Sequence, residues 1–375
     1  MKQPIVNIVK QIMSVDASSP CYKKRKTGSI IEEINPKISC LKETELDILG
    51  LLYEKEHVSG LEVLLNKTLC YDSKIPKHSS KIQPLARVLD YFLDFDASEY
   101  QEAVDEGTDR VTRFKEDVNN IKLSLTKAKE ATFETVRHLL LDDISRDEDY
   151  LRGMFQAIKW NGIYGFGEKL IYFMLENRKG TSNDMVCRQL FRDFLVMCGL
   201  NLMDGESKNK SMKIGKSVVT SHPELRCCSD EITELNMKTV MLVGGVKQRK
   251  VALPSRHDFK IEDLYPYDII GQHGTNLLLE IQDSCFEKTG DEEDGRSLVF
   301  GAMCVGTQVI FTALDMSKSH IDAVKQLEGE DLDVLGVIET SCIFYTRPYN
   351  ILKAADRSEM YEPLLRLACY QHQIT

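Results

Sequence analysis

The chain has 375 residues, of which 42% are hydrophobic, so it can bury a sizeable core and is unlike a disordered polymer. Its formal net charge of −10 argues against a protein that is basic throughout and coats nucleic acid, although a local basic groove remains compatible with it. The length exceeds that of one typical domain and predicts two.

The eleven cysteines are scattered along the chain and form no C-x-x-C pair. The sequence shows no secretory leader and no apolar stretch of the roughly 18 residues that a membrane span requires. These features predict reduced thiols, an intracellular location and no membrane partner. They give no indication of the oligomeric state.

Residues 1–40 are predicted to form a flexible polar arm. Four consecutive cations, Lys23, Lys24, Arg25 and Lys26, lie in it between loop-forming residues. Such a tetrad is typical of a nuclear import signal, which an acidic receptor groove binds in extended form. A solvated charged loop is the alternative, so the predicted location is nuclear or cytoplasmic.

Residues 41–203 are predicted to form a helical domain. The strongest periodicity lies in 99–141, where apolar residues follow alternating steps of three and four. These residues are Val111, Phe114, Val118, Ile121, Leu125 and Ala128. The frame shifts after Ala128, which favours a helix within a bundle over a dimeric zipper. A helical half of this kind could bind a protein partner.

Residues 204–216 are polar and predict a linker. Residues 217–375 then predict a mixed α/β domain, because short β-branched runs alternate with turns and helical stretches. Strands are predicted at 217–220, 225–233, 239–243, 250–253, 267–270, 277–282, 308–314 and 334–344, and helices at 296–304, 319–327 and 354–371. The overall class is therefore α+β, with a helical N-terminal domain before a mixed sheet.

One segment carries a candidate for chemistry. Residues 267–282 are interpreted as a β-hairpin, with Asp268 on one strand and Glu280 and Gln282 on the other. Glu280 and Gln282 are two apart and would share a face, which Asp268 could approach. Two carboxylates can hold a hard divalent cation that activates water for phosphodiester hydrolysis. An ordinary hairpin with exposed acids is the alternative.

This segment resembles the PD-(D/E)XK nuclease superfamily, which places an Asp on one strand and Glu/Asp-x-Lys on the next, followed by a helix and a further strand. The resemblance covers about residues 217–316 and implies a restriction-endonuclease-like domain with Mg or Mn. Asp268 and Glu280 would hold the metal, with Glu224 as an upstream ligand, and Gln282 would orient water or phosphate. Gln282 replaces the family lysine, and an acidic loop follows at 287–294. Both departures fit a fold that has lost catalysis.

A basic stretch at Lys247, Arg249 and Lys250 could contact DNA or RNA, or form a solvated surface. The leading hypothesis is thus a metal-dependent nuclease-like protein that acts on or binds nucleic acid. The alternative hypothesis, from another class, is a non-catalytic nuclear adaptor that uses its helical half as a binding surface.

Overall fold

The protein is described by a computed structural model and is of the mixed α+β class, with one large mixed sheet and helices against it. The structure describes residues 41–68, 82–140, 152–180 except 154 and 157, 183–205, 210–214, 217–229, 238–247, 260–288, 295–327 and 339–372. The predicted arm and its tetrad, Lys23 to Lys26, lie outside these ranges, as do Arg249 and Lys250.

The α-helices in the described ranges fall mostly in the N-terminal half. They are α1 Glu43–Ile48, α2 Leu61–Thr68, α3 Gln83–Phe92, α4 Glu99–Glu106, α5 Arg110–Glu130, α6 Phe133–Leu140, α7 Gly165–Lys179, α8 Asp184–Met197, α9 Ile261–Leu264, α10 Tyr267–Glu280, α11 Lys318–Gln326 and α12 Ala354–Gln371. A π-helix, Ile158–Tyr164, leads into α7, and a 3-10 turn, Ile281–Asp283, follows α10. None of these helices combines the length and hydropathy that crossing a bilayer requires.

The strands form one large sheet and a separate hairpin. They are β1 Leu51–Tyr53, β2 Leu202–Asp204, β3 Ser211–Ile214, β4 Ser217–Thr220, β5 Leu225–Cys228, β6 Thr239–Lys247, β7 Phe286–Lys288, β8 Arg296–Val305, β9 Gln308–Ser317, β10 Ser341–Tyr345 and β11 Tyr349–Asn350. The sheet order is β1-β10-β9-β8-β6-β5-β2, with β11 beside β9 and β7 beside β8, while β3 and β4 pair with each other. The pairs β6–β8 and β1–β10 are parallel.

The central strands are covered on both faces because successive side chains of a strand point to opposite sides. Met241 and Val243 of β6 belong to the apolar cluster that contains Phe191 of α8. Leu242, between them, packs instead with Leu277 of α10. Helices α8 and α10 therefore lie on opposite faces of the sheet, in three layers.

The sheet does not follow the predicted boundary between a helical domain at 41–203 and a sheet domain at 217–375. Strand β1 comes from the N-terminal segment and pairs in parallel with β10, Leu51 opposite Ser341. Leu46 of α1 is fully buried and meets Gly274 of α10. The predicted linker at 204–216 itself contains β3. The helical residues and the sheet residues thus share a common core.

The predicted hairpin at 267–282 is wrong, because these residues form helix α10. Two glycines of the segment allow close packing of this helix: a Cβ on Gly271 would lie 2.4 Å from the carbonyl oxygen of Leu41, and one on Gly274 would lie 2.3 Å from Leu46. A helix buried all round lacks the polar stripe that identifies amphipathic helices in a sequence. The predicted helix at 296–304 is also wrong, since it forms most of β8.

Several other predictions are confirmed. The heptad residues lie on the single helix α5, whose buried positions include Phe114, Ile121 and Ala128. The strand predicted at 308–314 lies within β9, and the helices predicted at 319–327 and 354–371 correspond to α11 and α12. These segments have clear periodicity and clear boundaries, so local pattern was sufficient to identify them.

The two neighbouring glycines of β6 allow a matched test of how α10 contacts the sheet. A Cβ on Gly244 would lie 2.0 Å from Nδ1 of His273, whereas one on Gly245 would meet Ile269 at an ordinary 3.6 Å. We expect Gly244→Ala to lower the free energy of unfolding by about 1–3 kcal/mol through overpacking. Gly245→Ala should change it little, as measured by urea denaturation. Equal effects of the two substitutions would contradict the close approach of α10.

Candidate functional site

The structure does not bring the two predicted metal ligands together. Asp268 lies in the first turn of α10 and is exposed, while Glu280 is the last residue of the same helix and is fully buried. At about 1.5 Å per residue, their twelve-residue separation is about 18 Å along the helix axis. One cation cannot bridge that distance. Gln282 lies beyond Glu280 in the 3-10 turn and is exposed.

Glu280 is the centre of a buried polar cluster. Its Oε1 accepts hydrogen bonds from Arg226 Nε at 2.9 Å and Nη2 at 2.6 Å, and from Ser221 Oγ at 3.1 Å. Its Oε2 accepts from Thr239 Oγ1 at 2.9 Å and lies 2.7 Å from Lys210 Nζ. Both carboxylate oxygens therefore already have partners within the protein.

The charges of this cluster balance. Burial alone would raise the pKa of Glu280, but the ammonium of Lys210 and the guanidinium of Arg226, through charge and hydrogen bonds, lower the pKa below its ordinary value. Lys210 also contacts Asp283 at 2.7 Å, so two cations face two carboxylates. The pairing keeps Glu280 ionised although its own side chain is fully buried.

Sequence reasoning missed the basic partners of Glu280. Arg226 is 4% exposed and lies in β5, a strand whose four residues are all buried. A charge in the middle of a buried strand requires a counter-charge, because an unpaired buried ion is costly. In the sequence, the arginine at position 226 within the otherwise apolar segment Leu225–Cys228 was therefore the feature that could have indicated a buried acidic partner.

Glu224, the predicted upstream metal ligand, belongs to a second ion-pair cluster. Arg188 of α8 contacts Glu224 Oε2 through Nη1 at 2.9 Å and Asp204 Oδ1 through Nη2 at 3.0 Å. One guanidinium thus lies between two carboxylates, at the junction of α8, β2 and β5. The side chains of Arg188 and Glu224 are 28% and 27% exposed, so this cluster is closer to solvent than that of Glu280.

The middle of α10 carries buried polar side chains that attach it to its neighbours. Nε2 of His273 lies 2.7 Å from Oγ1 of Thr312 in β9, and burial lowers the pKa of His273 to about 3. Asn276 accepts a hydrogen bond from the backbone of His222 at 2.8 Å and donates one to the carbonyl oxygen of Gly244 at 3.3 Å. These contacts fix the position of the helix, and His273 remains neutral at physiological pH.

The helical half carries large exposed side chains on the π-helix and α7, namely Trp160, Tyr172 and Leu175, here called the aromatic face. Trp160, the only tryptophan in the chain, is 49% exposed, Tyr172 is 47% and Leu175 is 39% exposed. The rings of Trp160 and Tyr164 stack with their centroids 4.9 Å apart. Large apolar side chains grouped on one surface are typical of interaction sites.

The residues of the described ranges do not fit a bound Mg or Mn ion. No group of three His, Cys, Asp or Glu side chains in those ranges is arranged to hold a metal. Glu280 and Glu224 already face cationic side chains, and Asp268 is remote from both. Lys247 ends β6, next to residues outside the described ranges, so the predicted basic stretch is not visible as a surface.

No protein-family model matches the chain, and no curated protein is similar to it. The function must therefore be inferred from the residues and their geometry.

The Glu280 cluster yields a prediction about stability and pH. We expect Glu280→Gln to lower the free energy of unfolding at pH 7 by about 3–5 kcal/mol, because it leaves Arg226 buried without a counter-charge. Because the pKa of Glu280 is lower in the folded than in the unfolded state, its ionised carboxylate stabilises the folded protein at pH values above the unfolded-state pKa, which is near 4.3 for glutamate. This stabilisation is lost as the pH falls from there through the folded-state pKa. The difference in the free energy of unfolding between wild type and variant, measured by urea denaturation, should therefore become smaller as the pH is lowered below about 4.3.

The exposed ion pair of Glu134 with Arg137 provides a matched control. Glu134→Gln should change stability by less than about 0.5 kcal/mol, because exposed i,i+3 pairs contribute little. A Glu280→Gln protein as stable as this control would show that the buried cluster does not hold α10 in place.

Proposed function

We propose that the protein is a non-catalytic binding protein, in which the helical half contacts a partner and the sheet serves as a scaffold of nuclease-like type. The observation that carries the proposal is the complete enclosure of Glu280 by Arg226, Lys210, Ser221 and Thr239. A carboxylate with both oxygens occupied in this way is a structural group.

Metal-dependent phosphodiester hydrolysis needs two carboxylates whose oxygens can face one ion. Asp268 is separated from Glu280 by the length of α10. Glu224 and Asp204 come close to the same point, but each already pairs with the guanidinium of Arg188, which lies between them. The predicted ligands therefore support scaffold contacts better than metal chemistry.

The restriction-endonuclease-like character of the sheet is part of the proposal and is supported by the order of its elements. The family pattern is a strand with an acid, a second strand, a helix and a further strand. In this chain β5, β6, α10 and β8 occur in that order, with the short helix α9 between β6 and α10 and the short strand β7 between α10 and β8, and β8 is parallel to β6. On this proposed alignment the pattern would begin at β5, earlier in the chain than at residue 267, where the sequence interpretation placed it.

This alternative alignment also favours a loss of catalysis. Pro223-Glu224, at the start of β5, would correspond to the first acid of the family. The backbone N–H of Glu224 donates to the carbonyl oxygen of Val243 in β6, at 2.7 Å, so the second acid would be expected close to Val243. Strand β6 reads TVMLVGGVK and contains no carboxylate. A metal site at this position would lack one of its two acids.

The binding role is assigned to the helical half because the aromatic face lies there. Tyr172 and Leu175 are exposed on α7, while Phe166, Leu170 and Phe173 of the same helix are buried. The core-facing side of α7 is therefore already supplied with apolar residues, and Tyr172 and Leu175 are further large side chains on its solvent-facing side. The proposal also includes nuclear import through Lys23 to Lys26 and contact with DNA or RNA through Lys247, Arg249 and Lys250.

A cleavage assay tests the absence of catalysis. Purified protein is incubated with labelled DNA and RNA in the presence of Mg²⁺ or Mn²⁺, beside a variant with Asp204→Ala and Glu224→Ala. We expect the same background signal from both, and no heat of binding in a calorimetric titration with Mn²⁺. A control with Glu134→Ala and Asp322→Ala removes two exposed acids elsewhere. Cleavage that the control keeps and the Asp204/Glu224 variant loses would overturn the proposal.

A further inference from the structure

Four exposed residues form a continuous seam along α7. Glu168, Tyr172, Leu175 and Lys179 follow steps of four, three and four, which places them on one face of the helix. Tyr172 and Leu175 are 47% and 39% exposed, and the side chain of Lys179 is 61% exposed. The seam has a carboxylate at its N-terminal end, two large apolar side chains in the middle and an ammonium at its C-terminal end.

The neighbours of α7 lie beside and behind the seam. Helix α5 flanks one side, where Arg178 stacks on Phe114 at 4.6 Å and Tyr164 donates a hydrogen bond to the carbonyl oxygen of Leu125 at 2.8 Å. Helix α8 packs against α7 as well, with a tilted contact between Phe166 and Phe194. No helix or strand in the described ranges covers the seam.

We propose that a second copy of this chain covers the seam, with the two α7 helices antiparallel about a twofold axis between Tyr172 and Leu175. The inference rests on the proposed function, because it identifies the partner of the helical half. The order Glu-Tyr-Leu-Lys is self-complementary under this rotation. Glu168 of one copy faces Lys179 of the other, and Tyr172 faces Leu175, so each contact occurs twice.

The charges select this orientation. A parallel pairing would bring Glu168 opposite Glu168 and Lys179 opposite Lys179, and like charges at a seam are repulsive. Alternating steps of four and three suit the interlocking of side chains between two long helices. Within one chain Lys179 contacts Glu176 at 2.9 Å, with side chains 61% and 16% exposed, and because the ammonium is on the solvent side this single i,i+3 pair can be exchanged for a contact across the interface.

The small area of the seam limits the expected affinity between the two copies. A contact between two single helices buries less than the roughly 800 Å² per partner of a standard stable interface. The pair should therefore form and dissociate reversibly in the micromolar range rather than persist as an obligate dimer. Trp160, four residues before Tyr164 and stacked on it, lies near one end of the seam. Its fluorescence can report on the state of this surface.

Charge reversal tests the pairing and its register. Sedimentation velocity over a concentration series is measured for wild type, Glu168→Lys, Lys179→Glu and an equimolar mixture of the two variants. Each variant alone places like charges opposite each other twice, so its dimer dissociation constant should rise about tenfold or more. The mixture restores both opposite-charge contacts and should return to within about threefold of wild type. Circular dichroism checks that every variant is folded.

Lys325→Glu is the matched control, because Lys325 is also an exposed lysine with an i,i+3 partner, Asp322, on another helix. It should leave the dimer unchanged. A wild-type chain that stays monomeric to millimolar concentration would overturn the inference, as would a dimer indifferent to both reversals or a mixture that fails to recover. None of these results would be evidence for metal-dependent cleavage. The dimer inference can therefore fail while the proposed non-catalytic function stands.

Discussion

The buried ion pair between Glu280 and Arg226 is the constraint on which the arrangement of α10 against the sheet depends. It joins the last residue of that helix to β5, and Thr239 extends the contact to β6. Removing two charges from water is costly unless both are paired and hydrogen-bonded, so the geometry of this cluster admits little variation. Helix α10 lies in the connection between β6 and β8, which pair in parallel, so its position affects how the chain returns to the sheet as β8.

The same pairing explains why Glu280, which the sequence suggested as a metal ligand, is a structural group in this fold. A carboxylate that serves as a metal ligand must offer free oxygens at a point accessible to the ion, whereas Glu280 has neither free oxygens nor solvent access. Arg188 has a comparable effect on Asp204 and Glu224 nearer the surface. At both places an internal cation is paired with an acid, Glu280 or Glu224, that the sequence suggested as a ligand of a divalent ion.

The helical half and the sheet form one structure with different faces toward solvent. Strand β1 completes an edge of the sheet, and the apolar residues of α8 pack directly on β6. The helices can therefore present an aromatic face outward while their other side supports the sheet. A rigid base beneath α7 is also what a self-complementary seam needs, because pairing then orders few additional groups.

The sequence by itself determined the α+β class, helix α5, strand β9 and the two C-terminal helices, since each has a local periodicity that only one kind of element satisfies. Only the tertiary structure decided that residues 267–280 are a helix, because the segment is almost entirely buried from Ile269 onward and so has no amphipathic stripe to distinguish it from strands. It also decided the partners of Glu280. Lys210 and Arg226 lie 70 and 54 residues away in the chain, and no local pattern encodes which distant cation a buried acid will meet.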